Sequence, residues 1–180
     1  MENITTNTPS VKSPFLTNFT LNEAQKSRLA DFNNPLKLWL WLFLKLPSAL
    51  FMGVRVKSAT PESAEVTMPY GWKSQNPFNS IYFAAQMAAA EFSTGALATL
   101  AITGRGKVSM LVGHIETEFT KKATSKVTFT CDDGNMVFEA VERAIQTGEA
   151  QTITMTSTGV QATGEVVSVT KITWSFKAKK

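Results

Sequence analysis

One carboxylate stands alone in the most alanine-rich part of the chain: from Ile81 to Ile102, Glu91 is the only acidic or basic side chain. Alanine richness without proline predicts a helix over this stretch. A helix so apolar offers Glu91 little solvent unless it faces a cleft or a subunit boundary, because burying an unpaired carboxylate is costly. Desolvation then raises the pKa, which is one way a carboxylate becomes a useful base. The plainer alternative is a Glu91 that faces water or pairs with Arg or Lys. At the predicted helix start, near Tyr82, Phe83 and Ala84, backbone N–H groups lack helical acceptors and are suited to polarising a carbonyl oxygen. Glu91 lies eight residues beyond Phe83, about 12 Å along the axis at ~1.5 Å per residue, so one carbonyl cannot touch both in the same chain. Two such helices running antiparallel across a two-fold axis would bring the start of one to Glu91 of the other. The chemistry therefore predicts a homodimer, with pairing of dimers into a tetramer left open.

Other reactive residues carry less. Gln86, one turn into the helix, could line the site, while Asn79 and Ser80 are suited to capping its start. His114 falls in a predicted strand and reads as packing more readily than as acid–base chemistry. Cys131 is the sole cysteine. It alternates with Val127 and Phe129 and reads as a buried strand residue, not a nucleophile, and no intramolecular disulfide can form. No spacing of His, Cys, Asp or Glu suggests a metal site, Gly104-Arg105-Gly106 is too short for a phosphate loop, and no cofactor is expected. The net charge of +4 comes from scattered lysines, denser only at Lys121-Lys122 and in the tail, so a nucleic-acid partner is not expected.

The elements that must position these groups follow from periodicity. A length of 180 residues with 43% hydrophobic and 18% charged side chains suits one globular domain with one core. Residues 1–20 read as a flexible polar arm without signal-peptide order, and residues 21–180 as a single domain with N-terminal helices. Asn22-Glu23-Ala24-Gln25 opens a short helix, and Asn34-Pro35 caps a second over Leu36–Leu46. Trp39, Trp41, Leu42 and Phe43 leave that second helix almost no polar face, which favours core packing over a dimer or acyl contact. Lys37, Lys45 and Pro47 break the apolar run too often for a bilayer span, so a cytoplasmic protein with no integral membrane segment is expected.

From Phe51 the period becomes two. Val54 and Val56, then Ala64, Val66 and Met68, predict an antiparallel hairpin turning at Thr60-Pro61-Glu62. Strands are predicted again over Val108–Phe119 and Ser125–Cys131. Val137, Val141, Ala144 and Ile145 trace a helix that Gly148 can end. Ile153 and Met155 begin a final strand pair with a turn around Gly159–Gly164, and the inward set changes parity between Val169 and Ile172, predicting a β-bulge near Thr170 and Lys171. A long helix with alanine on every side, set between hairpins, predicts an α+β hotdog fold: a curved antiparallel sheet wrapped around a central helix.

These residues also resemble the hotdog-fold acyl-CoA thioesterase superfamily. In its phenylacetyl-CoA-type branch an Asn precedes by six positions a His-Gly-Gly that opens the central helix, and an acid follows the His by nine. Asn76, Tyr82 and Glu91 stand at those spacings, with Phe83-Ala84 where the glycines would be. The likeness is greater to an uncharacterised thioesterase-like branch with Tyr for the His and Glu as the acid. Phe119-Thr120-Lys121-Lys122-Ala123 is similar to the superfamily's Phe-Leu-Lys/Arg-Pro-Ala strand end, with Lys122 in place of the proline. The resemblance covers roughly Met52 to Phe176. It implies hydrolysis of an acyl-CoA or acyl-carrier thioester, with Glu91 as general base or nucleophile and the amide of Phe83 or Ala84 holding the carbonyl oxygen. Asn76 would orient substrate or water, and Tyr82, Asn79 and Gln86 would line the substrate site. Trp39, Phe43 and Phe51 point to a medium or long acyl chain. The competing reading is a non-catalytic hotdog module that binds an acyl or lipid ligand; a dehydratase ranks last, because His114 stands in no motif for it.

Overall fold

The computed structural model describes residues 20–179; nearly all of the arm expected over residues 1–20 lies outside them. Three helices lead in: α1 (Glu23–Phe32), α2 (Pro35–Lys45) and α3 (Pro47–Met52). The hairpin strands β1 (Arg55–Ala59) and β2 (Ala64–Met68) follow, then the long helix α4 (Phe83–Ile102). Strands β3 (Val108–Phe119) and β4 (Val127–Cys131), helix α5 (Gly134–Thr147), and strands β5 (Gln151–Gln161) and β6 (Val166–Ala178) complete the chain. The six strands form one antiparallel sheet in the order β1-β2-β4-β5-β6-β3. Helix α4 packs against five of them and against α5, which is the hotdog arrangement the alternation of apolar helix and hairpins predicts.

Small side chains let the sheet close on α4. Ala85, Ala89, Ala90, Ala96, Ala98 and Ala101 are buried in the same core as Val66, Phe129, Met155 and Trp174. Polar ties fix the rotation of the helix: Ser93 and Ser157 hydroxyls meet at 2.8 Å, and Trp174 Nε1 donates to Thr94 Oγ1 at 3.0 Å. The last carbonyls of α4 are satisfied from α1. Buried Gln25 donates to the carbonyls of Leu100 and Ala101, and Asn22 donates to that of Thr103. Asn22 and Gln25 also close the capping box that starts α1. At the other end of α1, Asn33 exchanges two 2.9 Å hydrogen bonds with the backbone of Ala59 in β1. Helix α1 is thereby pinned to the C-terminal end of α4 and to β1.

Three local expectations are corrected. The β-bulge lies near Val167, not at Thr170–Lys171: the register with β5 shifts between Gly159 and Val160, and Ser168 and Thr170 join Ile172, Trp174 and Phe176 on the buried face. Buried polar residues carried the inward parity where alternating valines were expected to. Gly159 lies within β5, paired with Ser168, instead of in the turn; a methyl there would come within 2.8 Å of Phe129 and of Ser168 Oγ, so the close packing of the strand requires glycine. On α2 only one face meets the core. Leu38 and Leu42 are buried and Trp41 half-buried, whereas Leu36, Trp39, Leu40, Phe43 and Leu44 are exposed, with Trp39 and Phe43 rings stacked at 5.5 Å.

Gly134 at the start of α5 abuts the β1–β2 turn, donating its N–H to the Glu62 carbonyl at 2.9 Å. An added methyl would overlap the Pro61 carbonyl oxygen and stand 2.6 Å from Glu62 Cα. Gly134→Ala is expected to lower stability by about 1–3 kcal/mol, as overpacking against a rigid neighbour does. Urea denaturation measures this, and a wild-type midpoint would contradict the packing described.

Candidate functional site

Glu91 sits midway along α4, on the row Ala84, Met87, Ala88, Glu91 and Thr99 that stays half-buried while the remaining faces are buried almost throughout. Its side chain runs along the helix toward Gly95. A methyl at Gly95 would stand 3.2 Å from Glu91 Oε1, so the small residue four positions on is what leaves the carboxylate room. The carboxylate faces a cavity of about 90 Å³ walled by Phe32, Trp41, Leu46, Phe92, Thr99 and Met110, large enough for water. Among the described residues no ion pair or hydrogen bond offsets this setting, and burial pushes the Glu91 pKa above the ordinary carboxylate value. Among the described residues Glu91 is therefore neither fully exposed nor paired with Arg or Lys.

The start of α4 is a separate place in the chain. Tyr82 is the N-cap residue, and no side chain caps the helix. Its own N–H donates to the Ser74 carbonyl at 2.7 Å, and its carbonyl accepts from Ala85 and Gln86. Among the described residues the N–H groups of Phe83 and Ala84 have no acceptor. The Tyr82 and Phe83 rings, both exposed, meet edge to face at 4.7 Å beside them.

Asn76 organises the loop that delivers this helix start. Its Oδ1 accepts from the amides of Phe78 and Ser80, at 2.9 and 3.2 Å, and its Nδ2 donates to Ser80 Oγ. Asn79 occupies the left-handed region at φ 58° within that loop and is exposed. The capping expected of Asn79 and Ser80 does not occur: Tyr82 is the N-cap, the Ser80 hydroxyl bonds to Asn76 within the loop, and Asn79 lies three residues before the cap. Gln86 is buried and donates to the Ile81 carbonyl at 3.2 Å, so it braces the same loop from within. The loop also pairs Gln75 with Ile81, whose N–H donates to the Ala123 carbonyl. This places the Lys121-Lys122-Ala123 segment beside the helix start.

Sequence reasoning missed the walls of the Glu91 cavity. Phe32, Trp41 and Met110 come from α1, α2 and β3 and Leu46 from the junction of α2 and α3, all outside α4, and only the Glu91–Gly95 spacing signalled the cavity locally. His114 is exposed at the register shift of β3. Cys131 is buried and its thiol pKa is pushed up to about 12, chiefly by burial, which makes it inert as a nucleophile at neutral pH. Among the described residues no cluster of His, Cys, Asp or Glu could hold a metal, and no helix is long and apolar enough to cross a membrane.

A family described as a domain of unknown function, DUF4442, matches residues 38–176. No curated protein matches the chain in sequence. Among solved structures, the chain is similar to a Pseudomonas aeruginosa protein of unknown function named a probable thioesterase. They share 18% identity over 81% of this chain and 97% of that one, with a TM-score of 0.67. It is also similar to a Haemophilus influenzae thioesterase, at 14% identity over 79% of this chain and 90% of that one, with a TM-score of 0.59. A protein of unknown function from Chlorobaculum tepidum aligns at 11% identity over 81% and 97%, with a TM-score of 0.68. At these identities the likeness establishes the hotdog fold.

A raised carboxylate pKa links to stability with a definite sign. The contribution is full while Glu91 is protonated in both states and is lost as pH rises from the unfolded value through the higher folded one. Glu91→Gln, which has no charge to desolvate, is expected to melt above wild type near pH 8, with the difference shrinking toward about pH 4. Thermal unfolding across that range checks it; a variant less stable than wild type at the upper end would contradict a desolvated carboxylate.

Proposed function

Because the chain belongs to the DUF4442 family and carries, on the central helix of a hotdog fold, a carboxylate with no partner among the described residues, we propose that it hydrolyses acyl-CoA or acyl-carrier thioesters as a homodimer. The observation that carries this reading is Glu91: half-buried, without a partner among the described residues, and facing a cavity with room for water. In the proposed step Glu91 takes a proton from water while the water oxygen bonds to the thioester carbonyl carbon. The developing oxyanion is held by the Phe83 and Ala84 N–H groups of the partner subunit's helix, whose counterparts in this chain lack acceptors. Collapse breaks the C–S bond, and the leaving thiolate takes the proton, giving an acid and a thiol.

The dimer is supported by β3. It is an edge strand of 12 residues, and Leu111, Ile115 and Phe119 along it are exposed. Long apolar edges are normally covered. Asn76 acts in this reading by shaping the loop that aims the amides, and Tyr82 and Asn79 are exposed beside them where substrate would approach. Gln86 supports that loop from beneath.

A second reading is favoured by one feature. Phe83 brings a bulky side chain against Tyr82 at the helix start, which narrows access to the amides and suits a module that holds an acyl ligand without turning it over. Mass spectrometry of the isolated protein separates the two, since an intact thioester retained by wild type contradicts rapid hydrolysis. For the enzymatic reading, a panel of acyl-CoAs is expected to be hydrolysed by wild type, and Glu91→Gln to lower kcat by at least about 100-fold with the fold intact. Equal rates in the two proteins would remove Glu91 from catalysis.

A further inference from the structure

A second hollow adjoins the Glu91 cavity. It lies between α1 and α2, has a volume of about 310 Å³, and is lined by Phe32, Leu38, Leu40, Trp41 and Leu44. That volume lies at the lower end of the range for small-molecule sites, about 300–1,000 Å³. Phe32 and Trp41 belong to both hollows. The charged side chains at its margin are Arg28 and the pair Asp31–Lys37, joined at 2.8 Å, so the acid there is already neutralised.

Resting on the thioesterase reading of Glu91, we propose that this groove is the acyl-chain subsite: the chain leaves the carbonyl at Glu91, passes between Phe32 and Trp41, and lies along α2 as far as Leu44. The Glu91 cavity is too small to house a long chain. On its α4 side it is closed by Phe92, Gly95 and Ala96, behind which lies the packed core of Leu97, Leu100 and the sheet. The wall formed by Phe32 and Trp41 has open apolar space beyond it. Leu40 and Leu44 are 51% and 64% exposed, so the groove opens along the surface and its far end sets no sharp limit on length. The apolar outer residues of α2 thereby acquire an occupant that a packed core does not provide. The site selects for acyl groups long enough to cross the Phe32–Trp41 gate and discriminates poorly among longer ones.

The test uses S-hexyl- and S-dodecyl-pantetheine thioethers, which carry the arm common to coenzyme A and acyl carriers and cannot be hydrolysed. Each methylene buried is worth about fourfold in affinity. Calorimetry on the whole protein is expected to give dodecyl binding at least about 100-fold tighter than hexyl. Leu40→Glu and Leu44→Glu are expected to cut that ratio at least tenfold. Both side chains are exposed, and Leu40→Gln and Leu44→Gln, checked by circular dichroism, serve if the charged variants misfold. A wild-type ratio near one, or variants that keep the wild-type ratio, would overturn the groove. Hydrolysis of hexanoyl- and dodecanoyl-CoA is measured in parallel. Turnover without chain-length dependence rejects the groove and leaves catalysis standing; chain-length-dependent binding without turnover rejects catalysis and leaves the groove.

Discussion

The carboxylate of Glu91 is held where solvent is scarce and no cation among the described residues pairs with it. That single unfavourable placement makes sense of features that would otherwise be unrelated. Gly95 leaves room for the side chain, at the cost in helix propensity that glycine carries. The alanines of α4 admit the sheet closely, so the helix is enclosed on its other faces and Glu91 is left on the one row that remains half-open. The lead-in helices, pinned by Gln25, Asn22 and Asn33, then cover that row with Phe32, Trp41 and Leu46. A charged group desolvated in this way costs stability, and a fold that keeps it spends that stability on something other than packing.

The helix start supplies the complementary feature. Phe83 and Ala84 present uncapped N–H groups, while Asn76, Ser80, Gln86 and Ile81 are consumed in holding the loop that ends there. Eight residues separate Phe83 from Glu91, so an acid and a carbonyl-binding amide pair that lie about 12 Å apart in one helix act together only across two copies. The long exposed edge of β3 offers a surface for such pairing. The proposed dimer draws on helix geometry and strand exposure together.

Much of this was legible in the sequence. The α4 boundaries, the β1–β2 hairpin and the full extent of β3 follow from composition and local period, because those elements are decided by short-range preferences. Glu91 was found by its isolation among apolar residues. What escaped was decided by contacts distant in the chain. Ser168 and Thr170 face the core although the Ser168 hydroxyl has no hydrogen-bond partner among the described residues and the Thr170 hydroxyl accepts from Thr117 in β3, so the parity of valines misplaced the bulge. The outward half of α2 reads as core because each of its residues is apolar, and only the packing of α1 and α4 reveals which side is covered. Asn76 matched a family spacing, but its hydrogen bonds place its side chain in the loop, a role that spacing alone does not distinguish from substrate contact.

The most direct measurement is a titration of the Glu91 side-chain carboxyl by carbon NMR in protein labelled at glutamate, with Glu91→Gln supplying the assignment. The account predicts a midpoint clearly above the ordinary glutamate value of about 4.3. A midpoint at or below that value would mean the carboxylate is solvated or paired, and would contradict the desolvated site on which the proposed chemistry rests.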